Sequence, residues 1–267
     1  MHTTRLAALT LACLALAPTA WATDKEWTLN IKQESNGLTI HLGGNTTVGD
    51  PGRRIKGSGR VVEPQRSLAP FGRVQVKGPV DVVLVQGERE EARVRADDNL
   101  EALVTTQVEG DTLTVALKPG ASFSTRTDLR VTVHFKQLQG LQLSGSGDAK
   151  LDRFKGEKLA LELNGSGDLR IGQLEVRELS AQLSGSGDLQ LAGSAERQDW
   201  SLSGSGDVGA RSLSGQKVRA RLSGSGDLDL GVCQELDAEL SGSGDLAYAG
   251  RPVVKSRVSG SGEVMGR

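Results

Sequence analysis

The chain lacks most of the covalent and chemical equipment common in exported enzymes. It has two cysteines among 267 residues, and Cys13 sits inside an N-terminal apolar run. Removal of that run leaves Cys233 alone, which excludes an internal disulfide and leaves the fold to packing and backbone ladders. Cys233 lies in Leu230-Gly231-Val232-Cys233 and reads as a small buried thiol. Histidine is equally scarce: beyond the leader only His41 and His134 remain. His134 falls in the strand-like Val131-Thr132-Val133-His134-Phe135, where a structural role is expected, and no Ser-His-Asp or Cys-His grouping is suggested. No catalytic residue is therefore assigned, and no cofactor is implied. Neither sign of charge dominates, with 32 Lys and Arg against 33 Asp and Glu. The leader removes one Arg, and the mature formal charge of about −2 carries no nucleic-acid footprint. Beyond the leader, no apolar run reaches the ~20 residues of a transmembrane helix, and no segment shows helical periodicity.

The leader itself is legible. Arg5 closes a short basic head, residues 6–17 form an apolar stretch too short to span a bilayer, and Ala20-Trp21-Ala22 supplies small residues around a cleavage point. Residues 1–22 are thus expected to be a signal peptide, with Thr23 as the mature start and the periplasm or cell surface as destination. Because the apolar run continues past Cys13, cleavage is preferred to lipidation at that thiol.

What the chain has in quantity is glycine, 35 residues, roughly twice the usual share. The glycines occupy fixed places. Ser or Asn followed by Gly-Ser-Gly-Asp recurs at residues 144–148, 164–168, 184–188, 203–207, 223–227 and 241–245, then as Ser-Gly-Ser-Gly-Glu at 259–263. The acidic residues are Asp148, Asp168, Asp188, Asp207, Asp227, Asp245 and Glu263, spaced by 20, 20, 19, 20, 18 and 18. A period near twenty marks a solenoid of stacked units and is about half a propeller blade.

Side-chain parity identifies the unit. Leu141, Leu143, Gly145, Gly147, Ala149 and Leu151 share one parity and Gln142, Ser144, Ser146, Asp148 and Lys150 the other, which is strand alternation. Leucines and glycines are expected to face inward, and Ser, Ser and Asp outward. Leu143, Leu163, Leu183, Leu202, Leu222 and Leu240 should form one interior file. A second alternating stretch per period, such as Lys158-Leu159-Ala160-Leu161-Glu162-Leu163, completes a coil of short parallel strands, with right-handed crossovers expected.

The first half is also β but irregular. Alternating segments fall at 27–33, 38–42, 74–77, 80–85, 92–95, 113–117 and 129–135, separated by turn signals such as Lys77-Gly78-Pro79 and Glu109-Gly110-Asp111. Residues 55–61, Ile-Lys-Gly-Ser-Gly-Arg-Val, read as a degenerate repeat with Arg60 in the acidic place. The expected architecture is all-β, a right-handed parallel β-helix with an irregular β N-terminal cap. Residues 23–67 would be a lead-in and 68–267 the β-helix domain, with strict repeats from 141.

The run Leu68-Ala69-Pro70-Phe71-Gly72-Arg73-Val74-Gln75-Val76-Lys77-Gly78-Pro79-Val80-Asp81-Val82, then Ala96-Asp97-Asp98-Asn99-Leu100, then the Leu-Ser-Gly-Ser-Gly-Asp series, resembles the bacterial family of putative auto-transporter adhesins with a head GIN domain. The resemblance spans about residue 68 to the end and implies a right-handed β-helix on an exported protein. It transfers no catalytic or ligand residues, and Glu263 departs from its acidic pattern.

Three chemistries compete for the repeated motif. Gly145-Ser146-Gly147 lacks the third glycine and following helix of a dinucleotide fold. The calcium nonapeptide of β-rolls places its Asp differently, yet the stacked acids Asp148 to Glu263 remain a candidate cation column. The alternative, which is favoured, is a solvated column whose carboxylates accept backbone N–H bonds at a bend. Repeated identical acids also suit a surface better than a catalytic pair, which needs unlike environments. The expected function is an adhesin-like binding module. Ser146, Ser166, Ser186, Ser205, Ser225 and Ser243 form its binding face, with glycan or a surface protein as partner. An envelope structural protein without ligand is the alternative, and a carbohydrate-active enzyme comes third.

Overall fold

The computed structural model describes residues 29–34, 37–42 and 54–267. The leader and its cleavage point lie outside the described residues. Residues Leu29–Glu34 and Gly37–Leu42 pair as an antiparallel hairpin, and a separate compact unit spans Gly52–Arg267.

That unit is a parallel β-solenoid. Each turn of the coil contributes three strand segments, and each segment pairs in parallel with its counterpart one turn on. The first face stacks Arg73–Lys77, Gly140–Ser144, Lys158–Leu163, residues 178–183 and 197–202, Lys217–Leu222, Glu235–Leu240 and Val253–Val258. The Gly-Ser-Gly-Asp bend then leads to a second face, from Asp81–Gln86 through residues 149–151, 169–171, 189–191 and 208–210 to Leu228–Val232, Leu246–Ala249 and Val264–Gly266. A short third face includes residues 153–155 and 173–175. The alternation in the sequence is what makes this possible: one parity of every strand is buried, as in the burial of Leu159, Leu161 and Leu163 between exposed Lys158 and Ala160.

The expected leucine file is present. Leu143, Leu163, Leu183, Leu202, Leu222 and Leu240 stand opposite one another in register, preceded by Val76 and followed by Val258. The file beside it is adjusted by size: fully buried Trp200 sits between Ala181 and Ala220 on the adjoining turns. Its indole N–H donates to Gln198 Oε1 at 3.1 Å, which gives the ring's one polar group a partner inside the coil.

Two features differ from the sequence reading. Parallel stacking already includes Arg73–Gln86, ahead of the strict repeats from 141, and on its far side that turn pairs in parallel with Thr112–Leu117 and Arg130–Phe135. Residues 55–61 do not join the repeated bend. Ile55–Lys56 pairs with Phe123–Ser124, and the Ser58 hydroxyl donates to Asp98. The resemblance of Gly57-Ser58-Gly59 to the motif is local, and its side-chain partners belong to the cap. Parallel and antiparallel pairings together form that cap. The hairpin Val104–Glu109 with Thr112–Leu117 extends the first face, and Glu91–Asp97 lies against Arg130–Phe135.

Periods shorter than twenty are absorbed away from the bend. Where the step falls to 19, the register slips between Ile171 and Leu174, opposite Gly193. Gly193 takes φ +125, and a Cβ there would stand 2.0 Å from the Leu174 carbonyl oxygen, a place only glycine fills.

Candidate functional site

The repeated bend runs the length of the solenoid and places three columns side by side. The acidic column is joined by backbone rather than by ions. Asp168 N–H donates to Asp148 Oδ1 at 2.9 Å, Asp188 N–H to Asp168 Oδ1 at 2.9 Å, and Asp207 N–H to Asp188 Oδ1 at 2.9 Å. The series continues through Asp227 (2.8 Å), Asp245 (2.8 Å) and Glu263 (2.9 Å). It starts one turn earlier than the motif, because Asp148 N–H donates to Asp81 Oδ1 at 3.0 Å. Asp81 thus heads the column, with Gly78-Pro79-Val80 in the place of Gly-Ser-Gly. The Gly-x-x-Asp spacing was the available signal, masked by Pro79 and Val80.

Neighbouring carboxylates one turn apart repel by about 1 kcal/mol or less in water. Each donated N–H offsets part of that repulsion. Among the described residues, His, Cys, Asp and Glu side chains do not gather into a group of three or more placed to hold a metal ion.

The glycines explain why the bend is so strictly repeated, and here the inward assignment is corrected. A Cβ on Gly185 would lie 1.9 Å from the Gly165 carbonyl oxygen, and one on Gly187 would lie 2.0 Å from that of Gly167. Gly165, Gly167, Gly204, Gly206, Gly224 and Gly226 meet the same obstacle at 1.9–2.1 Å. The missing side chains therefore point along the stack into the preceding turn, not toward the interior. Strand parity fails at this point because the chain is bending, so alternate side chains no longer project to opposite sides of a flat ribbon. Close backbone approach, not a narrow lumen, demands the glycine.

The serines stand on the solvent side. Ser144, Ser184, Ser203, Ser223, Ser241 and Ser259, with Asn164, make the first column. Several of its hydroxyls donate at long range to the preceding turn, as Ser223 does to the Leu202 carbonyl at 3.4 Å. The second column comprises Ser146, Ser166, Ser186, Ser205, Ser225, Ser243 and Ser261, all exposed. Among the described residues its hydroxyls make a single hydrogen bond, Ser261 to Ser243 at 3.3 Å.

The remaining singled-out residues lie elsewhere. His134 is half-buried on the outer side of Arg130–Phe135, opposite Val85 and Glu91. Cys233 is buried and free, and desolvation pushes its thiol pKa up. His41 lies in the hairpin strand Gly37–Leu42. The cap holds a buried carboxylate that parity did not single out. Asp97 accepts the hydroxyls of Thr125 (2.6 Å) and Thr127 (2.7 Å), which hold its pKa below the usual carboxylate value.

The molecule is a capped parallel β-solenoid with one polar edge repeated at every turn. It belongs to the family described as putative auto-transporter adhesin, head GIN domain, whose profile matches residues 70–252. Among solved structures, a putative adhesin from Bacteroides fragilis is 23% identical with a TM-score of 0.76. A putative adhesin from Parabacteroides distasonis is 25% identical with a TM-score of 0.65. A putative lipid binding protein from the same species is 24% identical with a TM-score of 0.68. Each covers 80% of this chain and is itself covered over its whole length. No curated protein matches the chain.

Proposed function

We propose that this protein is an exported, non-enzymatic adhesin-like binding module that presents its serine edge to a repetitive surface target, glycan first among them. The observation that carries the reading is the second serine column, Ser146, Ser166, Ser186, Ser205, Ser225 and Ser243. Its exposed hydroxyls recur once per turn, roughly 4.8 Å apart. A rigid row of equal donors and acceptors suits a polymer whose own groups repeat, since weak contacts made together multiply through effective concentration. Family membership supports the adhesin class.

The acidic column supports a second reading, a structural envelope protein without ligand, because one oxygen of each Asp from 148 to 245 is engaged by the next turn. A glycan array and a whole-cell binding assay separate the two. Binding that falls when Ser166, Ser186 and Ser205 are replaced together by Val supports the serine edge. Uniformly negative arrays and cell assays would transfer the weight to the structural reading.

A further inference from the structure

The two long surfaces of the solenoid differ in sign. The bend carries eight carboxylates in line, from Asp81 to Glu263. A groove of about 1420 Å³ runs along the first face instead, from Arg73 to Lys255, and eight lysines and arginines line it against five acids. Its floor is open where Ala160 and Ser180 follow one another in register, since neither carries a side chain longer than serine's.

Around that floor the cations outnumber their partners. Lys158 and Arg197 share Glu178, each at 2.5 Å, so one positive charge of the three-membered group is uncompensated. Both cations hold the Glu178 carboxyl below its usual pKa, so it remains ionised between them. Lys155 is matched by Glu175 at 2.7 Å and Glu157 by Arg177 at 3.5 Å. Arg73 and Lys136, both exposed at the end nearest the cap, enter no ion pair among the described residues. Amides from Gln137 and Gln139 line the same stretch and can both donate to and accept from hydroxyl groups. Farther along, the charges cancel in pairs, Lys217 with Glu235 and Arg219 with Asp237.

We propose that this groove is the binding site for a linear anionic glycan. Its acidic groups engage Arg73, Lys136 and the Lys158–Arg197 pair, and its chain lies over Ala160 and Ser180. The inference rests on the reading of the protein as a glycan-binding module and adds to the serine edge a contact surface for charged chains on the first face. The acidic edge repels such a ligand, and the groove attracts it. Overall attraction cannot substitute for the groove, because the whole chain is nearly neutral, with a formal charge of −1. Carboxylated and sulfated chains share the required chemistry.

The test is titration of the purified full chain with oligogalacturonate, dextran sulfate and neutral dextran at low and high salt. Oligogalacturonate and dextran sulfate should bind in a salt-dependent manner and dextran should not, and the ratio of the first two tells which anion is preferred. Arg73→Glu with Lys136→Glu should weaken binding by at least about tenfold. Ala160→Gln, which fills the floor without changing charge, should also weaken it. Lys150→Glu on the second face should leave it unchanged. Melting curves confirm that each variant is folded. Equal losses from Lys150→Glu, or wild-type binding by a folded Ala160→Gln and by the double reversal, would overturn the groove. Binding of charged and neutral chains alike that depends on Ser166, Ser186 and Ser205 would overturn the groove while leaving the glycan-binding reading intact. No binding to any glycan would remove both.

Discussion

The bend and the first face are built from the same turns of the same coil, yet the sequence treats them in opposite ways. At the bend the same four or five residues recur almost without change, and on the first face the outward residues vary at every turn. The outward triplet 217, 219 and 221 is Lys, Arg and Arg, and the next is Glu, Asp and Glu at 235, 237 and 239. The difference follows from what each position touches. A repeat glycine faces a backbone carbonyl of the preceding turn at a distance no Cβ can share, and every L-residue except glycine carries that Cβ. An outward residue of the first face touches water and the tip of another side chain, so several pairs serve equally well. Strict repetition in a solenoid thus marks backbone contact, and it is not by itself a sign of ligand contact.

The most direct way to break this comparison is Gly185→Ala. A single methyl group meets the Gly165 carbonyl oxygen, and because backbone must move to relieve the clash, the loss should be at least about 3 kcal/mol, at the upper end of overpacking effects. Urea unfolding measures it, and a loss below 1 kcal/mol would return the glycines to the interior.

The cap adds a carboxylate whose partners are half-buried threonine hydroxyls rather than the N–H of the next turn. Because the folded pKa of Asp97 is depressed, its stabilisation is present above the ordinary carboxylate value and is lost as pH falls through the folded pKa. Asp97→Asn should lower the melting temperature at neutral pH and narrow the gap between the neutral and acid melts. An unchanged gap would show that the two threonines do not favour the charged form.

Smaller effects are expected at the acidic column. Asp188→Ala deprives the Asp207 N–H of its side-chain acceptor and should cost about 1 kcal/mol. Asp188→Asn retains an acceptor oxygen and should cost less. On the first face, Lys217→Gln breaks an exposed pair with Glu235 and should change stability by no more than about 0.5 kcal/mol. Ser186→Val, with an intolerant glycine on either side, should stay within about 0.5 kcal/mol as well. Chemical denaturation of these variants side by side with Gly185→Ala gives the ranking, and equal damage from Gly185 and Ser186 substitutions would erase the distinction.

Much of the architecture was legible because it depends on periodicity. The twenty-residue step announced stacked turns, the parity of Leu141, Leu143, Leu161 and Leu163 announced strands with one buried side, and the leucine file followed from both. Three things were hidden for physical reasons. Parity holds only for a straight strand, so it misdirected Gly145 and Gly147 at the bend. The first turn was disguised because Pro79 stands in the serine place and Val80 in that of the second glycine, so the Gly-Ser-Gly pattern is missing from it. The groove floor was invisible because Ala160 and Ser180 are ordinary residues, and only their register across adjoining turns makes them a depression.

The close seat of each bend against the one before it bears on how such a protein changes length. Every turn offers its successor the same carbonyl groove and the same carboxylate acceptor, so the last complete turn is as good a template as the first. A tandem duplication of one period therefore creates no new kind of contact, and loss of one leaves no unfilled place, provided that the break falls at the same point of the bend. Length becomes a quantity that recombination between near-identical segments can adjust one step at a time. The cap, which is irregular and made once, stays fixed while the reach of the rod is free to drift.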